Sequence, residues 1–265
     1  MVRVNEEPYD FRPGIKVKDL IAELKPDADV YIVNGFPTTI DTEIFDGDSC
    51  WLIRRGETPP AEEMERLLYA RHTPGVHEKV RNSIVGIMGL GGLGSVVAIA
   101  LARVGVGTLL LADYDVVEPS NLNRQQYFID QIGMKKTEAL RENLARVNPY
   151  LRIELIDVIL TEQTIPHYFQ EVDVLAECFD TAEMKAVGLR CALTALPGLA
   201  YVGASGVAGY EENNLIRTEM IRDRIYLVGD RETAAQPGQG LMAPRVGVAA
   251  HHQANQILRI LLNQT

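Results

Sequence analysis

Residues 84–136 read IVGIMGLGGLGSVVAIALARVGVGTLLLADYDVVEPSNLNRQQYFIDQIGMKK. The short apolar run Ile84–Met88 has the composition of a buried strand, and the alanine-rich stretch Ser95–Val104 is long enough for a helix. Between them stand Gly89, Gly91, Gly92 and Gly94. A second apolar run, Thr108–Ala112, ends on Asp113. Strand, glycine turn, helix, strand and acid, in that order, open a nucleotide-binding βαβ unit. Glycines let the backbone approach phosphate closely, and a helix N-terminus offers unpaired N–H groups to an anion. Asp113 stands about where an acid holds ribose hydroxyls in such units.

These features alone fit a nicotinamide or flavin cofactor. The residues after Asp113 point elsewhere. Ser120-Asn121-Leu122-Asn123-Arg124-Gln125 is a polar run with a guanidinium and several amides, and Lys136 closes a Gly133-x-x-Lys spacing. Two cations and a set of amides beside a glycine loop suit a triphosphate better than a dinucleotide.

Taken together, GxGGxGS (89–95), D-x-D (113–115), S-N-L-x-R-Q (120–125) and G-x-x-K (133–136) resemble the family of ThiF, MoeB and the ubiquitin-activating enzymes, from about Val80 to the C-terminus. The resemblance implies a Rossmann-like α/β domain with a mixed, mostly parallel sheet. It implies ATP as the nucleotide and adenylation of the C-terminal glycine of a small ubiquitin-like carrier. Arg124 and Lys136 would hold the phosphates and Asp113 the ribose. Gly89, Gly91, Gly92, Gly94, Asp115, Asn121, Asn123 and Gln125 would complete the ATP site. Family members carry D-C-T-D-N where this chain has Glu177-Cys178-Phe179-Asp180-Thr181, so Asp180 is the implied Mg²⁺ ligand. Read without the resemblance, an acid there serves equally as the N-cap of a helix beginning near Ala182. In the family an arginine-ended helix precedes the glycine loop and reaches the partner subunit's ATP site. Arg71 is the match here and Arg66 the alternative, which implies a homodimer. Catalytic roles thus fall to Arg124, Lys136, Asp180 and Arg71.

Upstream, Met1–Val4 and Tyr9–Phe11 read as short strands around a turn, and Val17, Leu20, Ile21 and Leu24 have helical spacing. Asp29–Asn34 and Ser49–Arg54 read as further strands. This is the order of a small α+β β-grasp domain, and residues 1–56 resemble the sulfur carrier ThiS. The carrier of that type ends in Gly-Gly with a free carboxylate. Here Arg54-Arg55-Gly56 runs on into Glu57-Thr58-Pro59-Pro60, so the unit is expected to dock or regulate without itself being adenylated. The expected division is 1–57 as a ThiS-like domain, 58–80 as a linker and helix, and 81–265 as the adenylation domain. The Pro-Pro pair reads as a stiff linker, and Ala61–Ala70 as an amphipathic helix with Met64, Leu67 and Leu68 on one side.

Beyond Lys136, helices are expected over Thr137–Val147, Ile165–Phe169 and Val246–Leu262, and strands over Leu151–Ile159, Val172–Ala176, Leu199–Gly203 and Ile221–Val228. A net charge of −10 with no basic tract argues against a nucleic-acid groove. No stretch is apolar enough to span a bilayer, and the first residues lack an apolar signal region, so the expected location is cytoplasmic. Cys50, Cys178 and Cys191 are scattered, with no C-x-x-C pair, so no disulfide framework and no zinc site are expected. The loop 229–240, where ThiF and MoeB carry zinc cysteines and ThiF a sulfur-handling cysteine, has none.

A carboxylate nucleophile is already ionised at neutral pH, which fits a sequence with no Ser-His-Asp set. The implied partner is a separate ThiS-like carrier ending in Gly-Gly, in thiamine thiazole synthesis. Two other functions remain open: an NAD-binding oxidoreductase, and a non-catalytic scaffold that binds nucleotide or carrier.

Overall fold

The computed structural model describes residues 1–59 and 61–264; of the proline linker signal, Pro60 lies outside them. The chain forms two compact units, Met1–Glu78 and Lys79–Thr265.

The first unit is built on β1 (Val2–Val4), β2 (Glu7–Tyr9), α1 (Val17–Leu24), β3 (Val30–Val33), β4 (Phe36–Pro37) and β5 (Ser49–Ile53). The sheet order is β2-β1-β5-β3-β4, with β1 and β5 parallel and the other pairs antiparallel. This is the β-grasp arrangement read from the sequence. The first hairpin is tighter than that reading. Val4 pairs with Glu7, so Asn5-Glu6 is the whole turn, and both residues have positive φ. Two-residue turns of this hand match the strand twist. The second strand therefore starts at Glu7, and Pro8 is tolerated because β2 is an edge strand. Asn34-Gly35, also at positive φ, turns β3 into β4, which the sequence reading did not separate.

Both faces of this small sheet are covered. Val17 and Leu20 of α1 pack with Val2, Val4, Cys50 and Leu52. The alternate residues Ile32 and Trp51 face the other way and pack with Ala70 and Leu67. Those two belong to α2 (Ala61–Leu68) and the turn after it. Gly35, at φ +84°, leaves room for the His72 carbonyl, which would lie 2.8 Å from a Cβ there. Arg66 of α2 pairs with Glu7, and Glu63 accepts from the Asn5 side-chain amide. The segment up to Glu78 therefore packs as part of the β-grasp unit.

After α3 (Val76–Val80), the second unit contains β6 (Ile84–Met88), α4 (Gly92–Val104), β7 (Thr108–Ala112), α5 (Lys136–Val147), β8 (Arg152–Ile156), α6 (Thr164–Phe169), β9 (Val174–Glu177), α7 (Ala182–Thr194), β10 (Ala200–Ala204), β11 (Arg217–Arg222), β12 (Ile225–Gly229) and α8 (Ala243–Leu261). Its sheet order is β11-β12-β10-β9-β6-β7-β8, parallel throughout except for the β11–β12 pair. The strands β6, β7, β9 and β10 are almost wholly buried, as parallel strands with helices on both faces must be. From β6 the chain proceeds to β7 and β8 on one side, then crosses to β9 on the other. The switch point thus lies between β6 and β9, and the crevice beyond their carboxyl ends is where such sheets bind ligands.

Two expectations need correction. The run Ile221–Val228 is two antiparallel strands, because the polar pair Asp223-Arg224 turns the chain, with Arg224 at φ +60°. The helix after the glycine loop begins at Gly92, three residues before Ser95, so part of the loop is already helical. Among the described residues no helix is long and apolar enough to cross a membrane.

The covering of the second β-grasp face is open to a direct check, because Trp51 is the single tryptophan and is only 4% exposed. Ala70→Glu puts a charge against it and should lower the stability of this unit by about 2–3 kcal/mol or more. Urea titration followed by Trp51 fluorescence would show an earlier transition; an unchanged midpoint would mean that Ala70 does not seal that face.

Candidate nucleotide site

The turn after β6 is a place where backbone lies on backbone. Gly89 has φ +88°, and a Cβ there would lie 2.8 Å from the carbonyl oxygen of Cys178, in the turn after β9. A Cβ on Gly94 would overlap the Gly89 carbonyl itself. These two glycines let the strand fold straight into α4 and bring the β6 and β9 turns together. Gly91 and Gly92 differ: their flanks hold side chains, the Gln125 amide for Gly91 and the Arg124 stem with Val246 for Gly92.

Polar residues after β7 surround this turn. The Asp113 carboxylate accepts from the N–H of Leu90 (2.7 Å) and of Asp115 (2.9 Å), which pins the glycine loop to the end of β7. Each of its oxygens keeps a further acceptor site. Lys136, the first residue of α5 and 6% exposed, donates to Asp115 at 2.9 Å. Buried Asn121 accepts from the N–H of Glu118 and so shapes the 3₁₀ turn before Arg124. Arg124 donates from Nη1 to the Asn123 side chain (2.8 Å) and the Ser120 carbonyl (3.2 Å). Its Nε, and Oε1 of buried Gln125, are buried without a hydrogen-bond partner. An orphaned buried polar atom costs about 1–3 kcal/mol, so both atoms gain if a ligand pairs with them. Their side chains flank Gly91 and Gly92.

Asp180 follows β9. The helix cap assigned to it as an alternative belongs instead to Thr181, whose hydroxyl accepts from the N–H of Met184. That leaves the Asp180 carboxylate exposed and without a hydrogen bond or ion pair among the described residues. Behind it, Glu177 is 2% exposed. It accepts from the Phe179 N–H (2.8 Å) and from Lys185 (2.9 Å) and so fixes the turn that carries Asp180. Buried Gln253 of α8 donates to the Glu177 and Val202 carbonyls. Among the described residues no group of three or more His, Cys, Asp or Glu could hold a metal. Arg71 lies in the other unit, exposed and without an ion pair among the described residues, whereas Arg66 is engaged with Glu7. The glycines, Asp113, Asp115, Asn121, Asn123, Arg124, Gln125, Lys136 and Asp180 all lie in the turns and first helical turns that follow β6, β7 and β9.

Residues 65–265 match the ThiF family, and residues 1–56 match ThiS-like ubiquitin. The chain belongs to the ThiF family. The molybdopterin-synthase adenylyltransferase of Haemophilus influenzae is 31% identical over 192 residues, covering 70% of this chain and 77% of that protein. Ubiquitin-like modifier-activating enzyme 5 of Caenorhabditis briggsae is 37% identical over 127 residues, and there the match spans only 29% of the relative's length. Among solved structures, Escherichia coli tRNA N6-threonylcarbamoyladenosine dehydratase, TcdA, in complex with ATP superposes with a TM-score of 0.66. The identity is 21%, over 76% of this chain and 94% of that one, so the likeness is one of fold.

Several supports of this ThiF-family site were missed in the sequence. Tyr127 is buried and donates to the Leu90 carbonyl at 2.7 Å. Ser95 donates to the Gly91 carbonyl and accepts from the N–H of Gln126, so the loop after β7 is stitched to the glycine turn. The Ser of GxGGxGS could have been given that task, because a hydroxyl in a first helical turn reaches the carbonyl four residues back. Nothing local to Tyr127 or Gln253 marks them.

All three cysteines are buried: Cys50 at 1%, Cys178 at 6% and Cys191 at 0% exposed. Burial pushes each thiol up, Cys50 to about 12, with the Asp48 charge adding to it, while the Glu177 charge adds to the rise at Cys178. Burial thus disfavours the thiolate at each of them. Ellman's reagent should titrate none of them within minutes in the native protein and all three in denaturant. Stoichiometric labelling of native Cys178, which sits beside the glycine turn, would instead make thiol chemistry part of this site.

Proposed function

We propose that this chain adenylates the C-terminal glycine of a ThiS-like carrier protein ending in Gly-Gly, using ATP and releasing pyrophosphate. The observation that carries the reading is the pair of orphaned atoms, Arg124 Nε and Gln125 Oε1, beside a glycine turn at the switch point of the sheet. An anionic ligand fits Arg124, and a nucleotide supplies donors as well as phosphate. ThiF-family membership and the molybdopterin-synthase adenylyltransferase relatives support the same class of reaction.

The carboxylate oxygen of the carrier attacks the α-phosphorus of ATP. A carboxyl–phosphate anhydride bond forms as the bond from that phosphorus to the bridging oxygen breaks, and the electron pair leaves with pyrophosphate. No proton moves, so the chain has to provide charge and placement rather than a base. Arg124 neutralises phosphate, and Lys136 can transfer its hydrogen bond from Asp115 to a phosphate oxygen. Asp113 accepts from ribose hydroxyls on its free acceptor sites. The exposed Asp180 fits Mg²⁺, which binds through one or two carboxylates together with substrate phosphates and needs no all-protein cage. When bound, the ion screens the phosphate charge. Arg71 adds a further cation from a second copy of the chain, which makes the active form a homodimer. The ThiS-like unit favours a thiamine-type carrier over a molybdopterin-type one. An NAD-linked oxidoreductase would leave Arg124, Lys136 and Asp180 without a task.

The test is ATP–pyrophosphate exchange by the full chain, with and without a ThiS-type carrier ending in Gly-Gly. Exchange should require the carrier, and Arg124→Ala and Lys136→Ala should each lower it by about 10²–10³-fold, as loss of a preorganised donor does. ATP binding without exchange on any carrier would favour the scaffold reading, and quenching of nicotinamide fluorescence on titration would favour the oxidoreductase.

A further inference from the structure

A second buried ion pair lies away from the residues assigned to ATP. Arg245, in the first turn of α8, donates from Nη2 to Asp230 at 2.6 Å, and the two side chains are only 4% and 8% exposed. Its Nη1 donates to the Glu211 carbonyl (2.9 Å) and the Glu212 carbonyl (3.2 Å). Asp230 in turn accepts from the N–H groups of Glu232 and Thr233 and from the Thr233 hydroxyl. One guanidinium therefore joins three segments: the loop after β10, the loop after β12 and the start of α8. The two loops are also laced to each other. Asp230 N–H donates to the Gly206 carbonyl, Arg231 N–H to Ser205, Ala208 N–H to Thr233 and Gly209 N–H to Gly240. Gly206, at φ +74°, has no room for a Cβ, because Asp230 fills that space.

A buried ion pair adds little net stability, since desolvation offsets the attraction, whereas two apolar residues could fill the same space. What this one supplies is a fixed arrangement. Burial pushes the Asp230 carboxyl up, but the Thr233 and Glu232 hydrogen bonds and Arg245 outweigh it and hold the group below the ordinary carboxylate range. No metal cluster among the described residues and no disulfide takes over the task of tying these loops.

The position of the loops gives the arrangement its use. They leave the carboxyl ends of β10 and β12, on the β9 side of the switch point, while Asp113, Asp115, Arg124 and Lys136 come from the β7 side. Val246, the residue after Arg245, packs where a Cβ on Gly92 would lie within 3.0 Å. The start of α8 thus borders the glycine turn beside the Arg124 stem, while the strand order sets the tied loops across the switch point from β7. In an in-line displacement the attacking oxygen and the leaving pyrophosphate lie on opposite sides of the α-phosphorus. With pyrophosphate held on the β7 side, the carboxylate enters from the side of these loops.

We infer that Arg245 is a positioning residue that locks the loops after β10 and β12 into the wall along which the carboxylate-bearing protein substrate approaches. The inference rests on the adenylation reading for the identity of that substrate. The arrangement of the loops stands without it.

Two readouts separate these parts. In substrate-free full-length protein, Arg245→Met should speed amide hydrogen exchange in 205–216 and 230–242 by about tenfold or more and leave 84–94 unchanged, since a local tie controls local opening. Arg245→Lys, which reaches Asp230 but cannot also bridge the two carbonyls, should give an intermediate effect and guards against misfolding of the first variant. In pyrophosphate exchange with the ThiS-type carrier, Arg245→Met should raise the carrier KM about tenfold, with the ATP KM within about twofold of wild type. Unchanged hydrogen exchange would overturn the lock. Faster hydrogen exchange with an unchanged carrier KM, or with the loss falling on ATP, would overturn the placement of the wall. Wild-type protein that shows no exchange with the carrier, together with the expected loosening in Arg245→Met, would reject the adenylation reading and keep the lock.

Discussion

The candidate site depends on how closely two stretches of backbone can approach. The turn after β6 lies against the Cys178 carbonyl, in the turn after β9, and its own Gly89 carbonyl occupies the space beside Gly94. With side chains at either glycine the two turns would separate and α4 would start farther along. The crevice at the switch point exists because they do not. The other contacts of the site follow from this approach: Asp113 can reach Leu90, Tyr127 can reach the Leu90 carbonyl, and Arg124 can lie along Gly92.

The polar groups around the crevice fall into two sets. Asp113, Ser95, Tyr127 and Glu177 are engaged with backbone and hold the loops in place. Arg124, Gln125 and Asp180 retain capacity that the chain itself does not use. Lys136 stands between the sets, since its partner Asp115 is half exposed and can release the ammonium to a stronger anion. Such a division is what preorganisation requires: the scaffold spends its hydrogen bonds on geometry and leaves a few charged atoms for the ligand.

The central strands were legible in the sequence because buried parallel strands are short apolar runs, and Ile84–Met88 and Thr108–Ala112 have the bounds expected of them. The glycine loop and the polar run after β7 were legible because their spacing is local. Three features were legible only in part or not at all. The turn between the first two strands was read, but not its tightening to Asn5-Glu6, and Asp223-Arg224 was not read as a turn; neither pair carries the glycine that usually marks positive φ. The buried supports Glu177–Lys185 and Asp230–Arg245 join residues 8 and 15 positions apart, and whether such charges meet inside depends on tertiary packing. The covering of the second β-grasp face was half legible. Val30, Tyr31, Ile32 and Val33 are apolar at both parities, as a strand buried on two sides must be, but the sequence does not say that Leu67 and Ala70 provide the cover.

That covering separates where a homologous module ends from where a folding unit ends. The likeness to ThiS stops at Gly56, yet Trp51 and Ile32 are sealed by residues about a dozen or more positions farther on. A cut at Gly56 would split one apolar core between two fragments, leaving bare sheet on one and an unsupported amphipathic helix on the other. Any excision or domain exchange that respects the packing has its natural seam near Glu78.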